Sequence, residues 1–258
     1  MPNHVTTTFR VIGQQEHVAQ FIAAHIIEHP EKTVPGWKPG TTRVEPAHTQ
    51  FDFQTVIPMP SILDGIQSSS ILDDAAVVLT GKTLAQLRVE HDPSNPIHVA
   101  DFDFKQRLKS LLPISEEHRA KRRDNLTVEQ LQMGARAIEA INETGYPTWY
   151  EWCCANWGTK WNSYKFQLVT NEPGEYVFRF ETAWSAPTPI FKKLCALYPT
   201  LSFSSDSYDE CGNFAEMGVS RNGFWVETQI PVDDAAYMRA YGYAPDRDDD
   251  EDTSGASV

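Results

Sequence analysis

Several groupings of residues in this chain have the types and spacing that could do chemistry. His25-Ile26-Ile27-Glu28-His29 carries the pattern H-x-x-E-H. It sets two imidazoles one helical turn apart, as inverted zinc proteases do to hold a metal. A working centre also needs a third ligand and an open coordination position, and Pro30 ends the run at once. The two histidines therefore read as groups at a helix C-terminus, where positive charge is favoured. Gly81-Lys82-Thr83 resembles the end of a phosphate-binding loop, but Ala76 stands where an earlier glycine belongs and the preceding segment is helix-like. Cys153-Cys154 could ligate a metal or close a vicinal disulfide; its tryptophan-rich surroundings raise a thiol's pKa and leave it inert. Tyr176, Phe178 and Phe180 could stack the bases of a single strand. Arg179 is the only cation between Tyr176 and Ala183, so these rings read as core. No serine triad, carboxylate pair or glycine-rich loop emerges from the spacing, and no catalytic residue, metal or cofactor is assigned.

Two stretches remain as candidate binding surfaces. Between Lys105 and Arg123 stand Lys105, Arg107, Lys109, Arg119, Lys121, Arg122 and Arg123, about a third of the 22 basic residues. Arg119, Lys121, Arg122 and Arg123 are the members that could contact phosphates or an acidic partner. The other stretch, Pro147–Asn162, holds four of the seven tryptophans, and its candidates are Trp149, Trp152, Trp157, Lys160, Trp161 and Asn162. Thr148 and Glu151 have capping-box spacing and Gly158 suits a helix end. The expectation is a short tryptophan-rich helix that plugs an insertion onto a sheet.

Charge narrows the partners. The formal net charge is −13; Asp246 to Asp252 holds six acids and one arginine, which leaves −8 for the rest. An acidic body disfavours generic nucleic-acid binding, whose affinity comes from neutralising phosphates. Apolar runs are too short to span a bilayer, and the start Met1-Pro2-Asn3-His4 lacks the charge and apolar pattern of a signal peptide. The expectation is a cytoplasmic protein with no membrane partner and with buried free thiols.

The elements that would position these residues follow from periodicity. Val5, Thr7, Phe9 and Val11 alternate as a strand; Val18, Phe21, Ile22, Ile26 and Ile27 recur at helical spacing over 16–29. Phe51 to Ile57 reads as a second strand. Between about Ser61 and Gly145 alternation vanishes: helices are expected over 71–87 with a break at Gly81, over 104–112, from Ser115, and from the Thr127/Gln130 capping box through Ile141, ended by Gly145. Strands return from about Lys160, over 176–184, at 201–203, and as a hairpin turning at Asn222-Gly223, with a helix over 189–198. The organisation read from this is 1–65 as a strand-helix-strand unit, 66–146 as a helical insertion, 147–243 as the C-terminal part, and 244–258 as a disordered acidic tail.

Trp149-Tyr150-Glu151-Trp152, Trp157-Gly158-Thr159-Lys160-Trp161-Asn162, Phe51-Asp52-Phe53, Ile57-Pro58-Met59-Pro60 and Phe180-Glu181-Thr182-Ala183-Trp184 resemble the YubB-like family of plasmid and phage proteins. The resemblance implies a ferredoxin-like α+β fold and a mobile-element origin. It carries over no catalytic residue, and no iron–sulfur cluster is implied, the cysteine spacing being wrong for one. The expected fold class is α+β: an antiparallel-rich, ferredoxin-like sheet backed by helices, with a central helical insertion. The expected function is non-enzymatic binding of a host protein, a defence nuclease or its sensor. Nucleic-acid or nucleotide binding through 105–123 or the aromatic sheet face is the alternative.

Overall fold

Alternation at the N-terminus forms β1 (His4–Ile12), and the chain then runs through α1 (Gln15–His25), β2 (Ile26–His29), β3 (Lys32–Pro35), β4 (Thr42–Glu45) and β5 (His48–Phe51). Helices follow: α2 (Ser70–Thr80), α3 (Leu84–His91), α4 (Glu116–Arg123), α5 (Val128–Thr144) and α6 (Trp149–Asn156). The last third holds β6 (Tyr164–Glu172), β7 (Glu175–Ala183), α7 (Thr188–Leu197), β8 (Ser202–Asp209), β9 (Ala215–Arg221), β10 (Phe224–Ile230) and α8 (Asp234–Tyr241). This computed structural model describes residues 3–36, 38, 40–91 and 114–245. The expected helix over 104–112 and the tail from 246 lie outside the described residues. The chain divides into a sheet unit, residues 1–52 with 163–258, and a helical unit, residues 53–162. Residues 53–65 and the tryptophan-rich stretch thus go with the helices.

In the sheet unit the strand order is β10-β9-β8-β1-β7-β6, with every neighbouring pair antiparallel. Taking β1, β6, β7 and β8 as first to fourth gives the spatial order fourth, first, third, second. With α1 and α7 as the crossovers, this is the split β-α-β arrangement of a ferredoxin-like fold. The fold is therefore α+β, as expected, with β9 and β10 extending one side. Inward residues of β1 and β7 meet α1 and α7 in an aromatic core. Phe9 lies 4.7 Å from Phe191, 5.6 Å from Phe178 and 5.8 Å from Phe203, centre to centre. Tyr176, Phe178 and Phe180 are buried in this core. That corrects the aromatic-face alternative, because rings sealed under helices cannot stack on bases.

Two local readings differ from the structure. The helix expected over 16–29 ends at His25, because Ile26–His29 instead pairs with His48–Phe51, placing Ile26 opposite Phe51 and His29 opposite His48. β-Branched Ile26 and Ile27 fit a strand at least as well as a helix, and the pairing decides. His25 and His29 consequently do not share a helix face, and the H-x-x-E-H pattern has no metal geometry. The strand expected over 51–57 stops at Phe51, and Phe53–Thr55 is a 3-10 turn.

His25 is buried, with Nε2 2.9 Å from the Tyr198 hydroxyl. Burial lowers its pKa from 6.5 to about 4, with Asp52 opposing. A buried neutral histidine favours folding above its unfolded pKa, and that stability is lost as pH falls towards the folded value. Unfolding free energy should therefore fall by about 3 kcal/mol at most between pH 6.5 and 4 on this account. Denaturation across this pH range should show a shallower slope in His25→Gln; an identical slope would remove His25 as the cause.

In the helical unit Gly81 and Gly145 close α2 and α5 in the left-handed conformation, as their positions predict. The Thr127/Gln130 capping box forms with bonds of 3.3 and 2.8 Å. At Thr148 the box is incomplete, since its side chain caps no backbone N–H. α2 and α5 approach closely at Gly134, where an added Cβ would lie 2.3 Å from that of Ala75.

Candidate functional site

The sequence candidates scatter. In the helical unit Trp152 and Trp157 are buried, and Trp157 Nε1 donates to the Ile57 carbonyl at 2.8 Å. Asn162 Oδ1 accepts from the Phe53 N–H at 2.9 Å. Trp152, Trp157 and Phe53 are buried in the unit, with half-buried Ile57 and Asn162 supplying these two hydrogen bonds. Trp149 is half-buried, edge-on to Tyr150. Trp161 is 37% exposed and receives Lys160 Nζ at 4.5 Å from its ring centre. That cation–π contact holds Lys160 over one face of a ring that stays partly open to water. Cys153 is pushed up to about 12 by burial; all four cysteines are free.

The basic segment does not present its four candidates as one surface. Arg119 Nε donates to the Val78 carbonyl at 2.9 Å, satisfying the otherwise open C-terminus of α2. Arg122 pairs with Asp74 at 3.2 Å. Lys121 and Arg123 are exposed. Two of the four cations thus serve the fold. Lys105, Arg107 and Lys109 lie outside the described residues.

A more organised site lies on the sheet face opposite α1 and α7, and sequence reading missed it. The face is crossed by α8, a helix not foreseen from the sequence, whose Asp233 cap accepts from Ala236 N at 2.7 Å. Beyond its C-terminal end Thr6, Lys165, Arg179, Glu181, Tyr241 and Tyr243 line a cavity of about 430 Å³. Arg179 Nε donates to the Ala240 carbonyl at 2.7 Å and to Thr8 Oγ1 at 3.1 Å, and Nη1 donates to Gln167 Oε1 at 2.9 Å. A cation here meets the negative end of α8. Gly242, with φ +77°, is required beside it, because a Cβ would lie 2.4 Å from Arg179 Nη2.

Lys165 reaches Glu181 from a bulge in β6, with φ +51°, and its Nζ lies 2.8 and 2.9 Å from the two carboxylate oxygens. Bulges re-aim side chains in this way, and a non-glycine residue at positive φ is strain that its surroundings must hold. His4 Nδ1 is 2.6 Å from Tyr164 Oη and 3.6 Å from Glu181. Burial first, then Glu181 and Glu210, raise the Tyr164 pKa, and burial raises that of Tyr241. These phenols stay protonated at neutral pH and serve as hydrogen-bonding groups. Of all this, only Arg179, the single cation of the stretch from Tyr176 to Ala183, stood out in the sequence.

At the opposite end of the same face lies an apolar patch. Trp225 packs on Phe191 at 4.9 Å, which fixes the odd residues of β10 towards the core. Phe224 and Val226 therefore face the other way, beside Met217 and Val219 of β9. Phe224 is 74% exposed, Met217 43% and Val226 41%. β10 is outermost in the sheet, keeps continuous register with β9, and contains neither proline nor lysine. β6, at the other edge, is interrupted by two register shifts. Among the described residues no group of three or more metal-ligating side chains converges, and no helix is long and apolar enough to cross a membrane.

A family model described as the ferredoxin-like domain in Api92-like protein, DUF1281_C, matches residues 156–251. Among solved structures, a similar one is protein Api92 from Yersinia pseudotuberculosis. Its identity is 9%, it covers 89% of this chain and 98% of its own, and the TM-score is 0.39. No curated protein matches. Over residues 156–251, then, the chain is similar to the ferredoxin-like domain of Api92-like proteins.

Proposed function

We propose that this chain is a non-enzymatic binding protein that takes an extended segment of a partner protein as an added strand on β10. The observation that carries this is the regular edge: seven residues in unbroken register, without bulge, proline or lysine, with Phe224 and Val226 exposed on one face. Natural edge strands are normally protected by bulges, proline or charge; β10 has Glu227 as its one charge, and a strand so lightly protected is a template for pairing with a segment that answers that charge. Charge complements it. Glu227 and Glu216 lie together on the opposite face of the hairpin, where burial and their mutual repulsion raise the Glu216 pKa. A basic residue in the added strand would relieve that repulsion, and apolar residues at alternate positions would cover Phe224 and Val226. The partner class follows from the resemblance to plasmid and phage proteins: a host protein, with defence nucleases and their sensors first among those to examine.

Val226→Lys tests the reading. It places a charge at the middle of the patch without touching the core, so the thermal midpoint should hold. Affinity capture from a bacterial lysate, at low and high salt, should lose any partner that the unaltered chain retains. A partner held equally by both chains would place the interface elsewhere, and no specific partner under either condition would count against protein binding altogether. Gel shifts with DNA and RNA address the alternative. A low-salt complex abolished by reversing the charge of the two exposed cations, Lys121 and Arg123, would favour it.

A further inference from the structure

The cavity beyond the C-terminus of α8 lies at the other end of the face from β10, and protein capture on β10 does not use it. We infer that it is a binding site for a small amino-acid-like zwitterion, whose carboxylate meets Lys165 and Arg179 and whose ammonium meets Glu181. Three observations support the assignment. Opposite charges stand side by side on one strand: Arg179 and Glu181 are alternate residues of β7 facing the same way, about 7 Å apart along the strand. A ligand ammonium and carboxylate, each hydrogen-bonded to its partner, span such a distance in a bent arrangement.

The site is also built rather than incidental. Arg179 is fixed by Ala240, Thr8 and Gln167, and Gly242 leaves the space its guanidinium needs. Lys165 is brought to Glu181 only by a left-handed backbone that a lysine adopts at a cost. Observed strain of this kind points to a role beyond folding.

The ligand's net charge is constrained as well. Lys165 and Arg179 are opposed by Glu181 within the cavity, and the chain carries −13 overall. A multiply charged phosphate would work against that field, whereas a ligand with one charge of each sign does not. Tyr241 and Tyr243, 5.8 Å apart, supply an aromatic wall for its side chain. The volume of about 430 Å³ accommodates an amino acid with an aromatic or branched side chain.

Calorimetric titration of the full chain with L-phenylalanine and L-leucine tests the inference. N-acetyl-L-phenylalanine, which lacks the ammonium, and L-phenylalanine methyl ester, which lacks the carboxylate, serve as the other arms. At least one free amino acid should bind, and blocking either end of it should weaken binding by about tenfold or more, as for loss of a charge-assisted hydrogen bond. Glu181→Gln should lower affinity by a similar factor. Lys165→Gly separates function from folding: relief of the strained backbone offsets loss of the ion pair to Glu181, so the thermal midpoint should hold while binding falls. The inference is overturned if neither amino acid binds, if the blocked forms bind as well as the free one, or if Lys165→Gly leaves affinity unchanged. Val226→Lys should not alter this binding, so this site and the β10 edge stand or fall separately.

Discussion

Trp157→Ala lowers the unfolding free energy by about 3–5 kcal/mol, while Trp161→Ala, four residues on, changes it by less than about 1 kcal/mol. The two residues are of one type in one phrase, and only their surroundings separate them. Trp157 is 4% exposed and stands edge-on to Phe53 and Trp152, with ring centres 5.9 and 5.7 Å away. Its removal opens a cavity and leaves the Ile57 carbonyl without its indole donor, two penalties that fall on the same variant. Trp161 is more than a third exposed, so water can fill the space its truncation leaves, and the cation–π contact with Lys160 goes with it. Urea denaturation of both variants, with slopes compared so that only midpoints change, measures the difference. Equal midpoints for the two would show that burial does not distinguish them.

Phe9→Ala should cost the sheet unit a similar amount, about 3–5 kcal/mol. Phe9 is fully buried, and five rings surround it: Phe51, Phe178, Phe191, Phe203 and Trp225, at 4.7 to 6.2 Å. They come from β5, β7, α7, β8 and β10. A hole at their common centre cannot collapse without moving several elements, which places the cost towards the upper end. Phe9→Leu keeps most of the volume and should cost less than about 1.5 kcal/mol. Far-ultraviolet circular dichroism against denaturant gives both values. A Phe9→Ala loss no larger than that of Phe9→Leu would mean that the aromatic cluster is loosely packed.

The amino-acid sequence by itself determined elements whose signals are local. β1 shows its two-residue period, α5 its capping box and terminal glycine, and the β9–β10 hairpin its Asn222-Gly223 turn, both residues at positive φ. The inward aromatics of β7 were legible for the same reason, since alternation is a property of neighbouring residues. Tertiary structure decided the rest. Ile26–His29 became a strand because His48–Phe51 lay ready to pair with it, a partner some twenty residues away that no window of sequence contains. Trp157 and Trp161 differ in burial because Phe53 and Ile57 return from about a hundred residues earlier to enclose one ring. The cavity is the extreme case: Thr6, Lys165, Arg179, Glu181 and Tyr241 come from four elements, and Lys165 reaches it through a backbone conformation its residue type disfavours. Local propensity carries no record of such a meeting, because the energy that holds it is the packing and hydrogen bonding of the whole sheet unit.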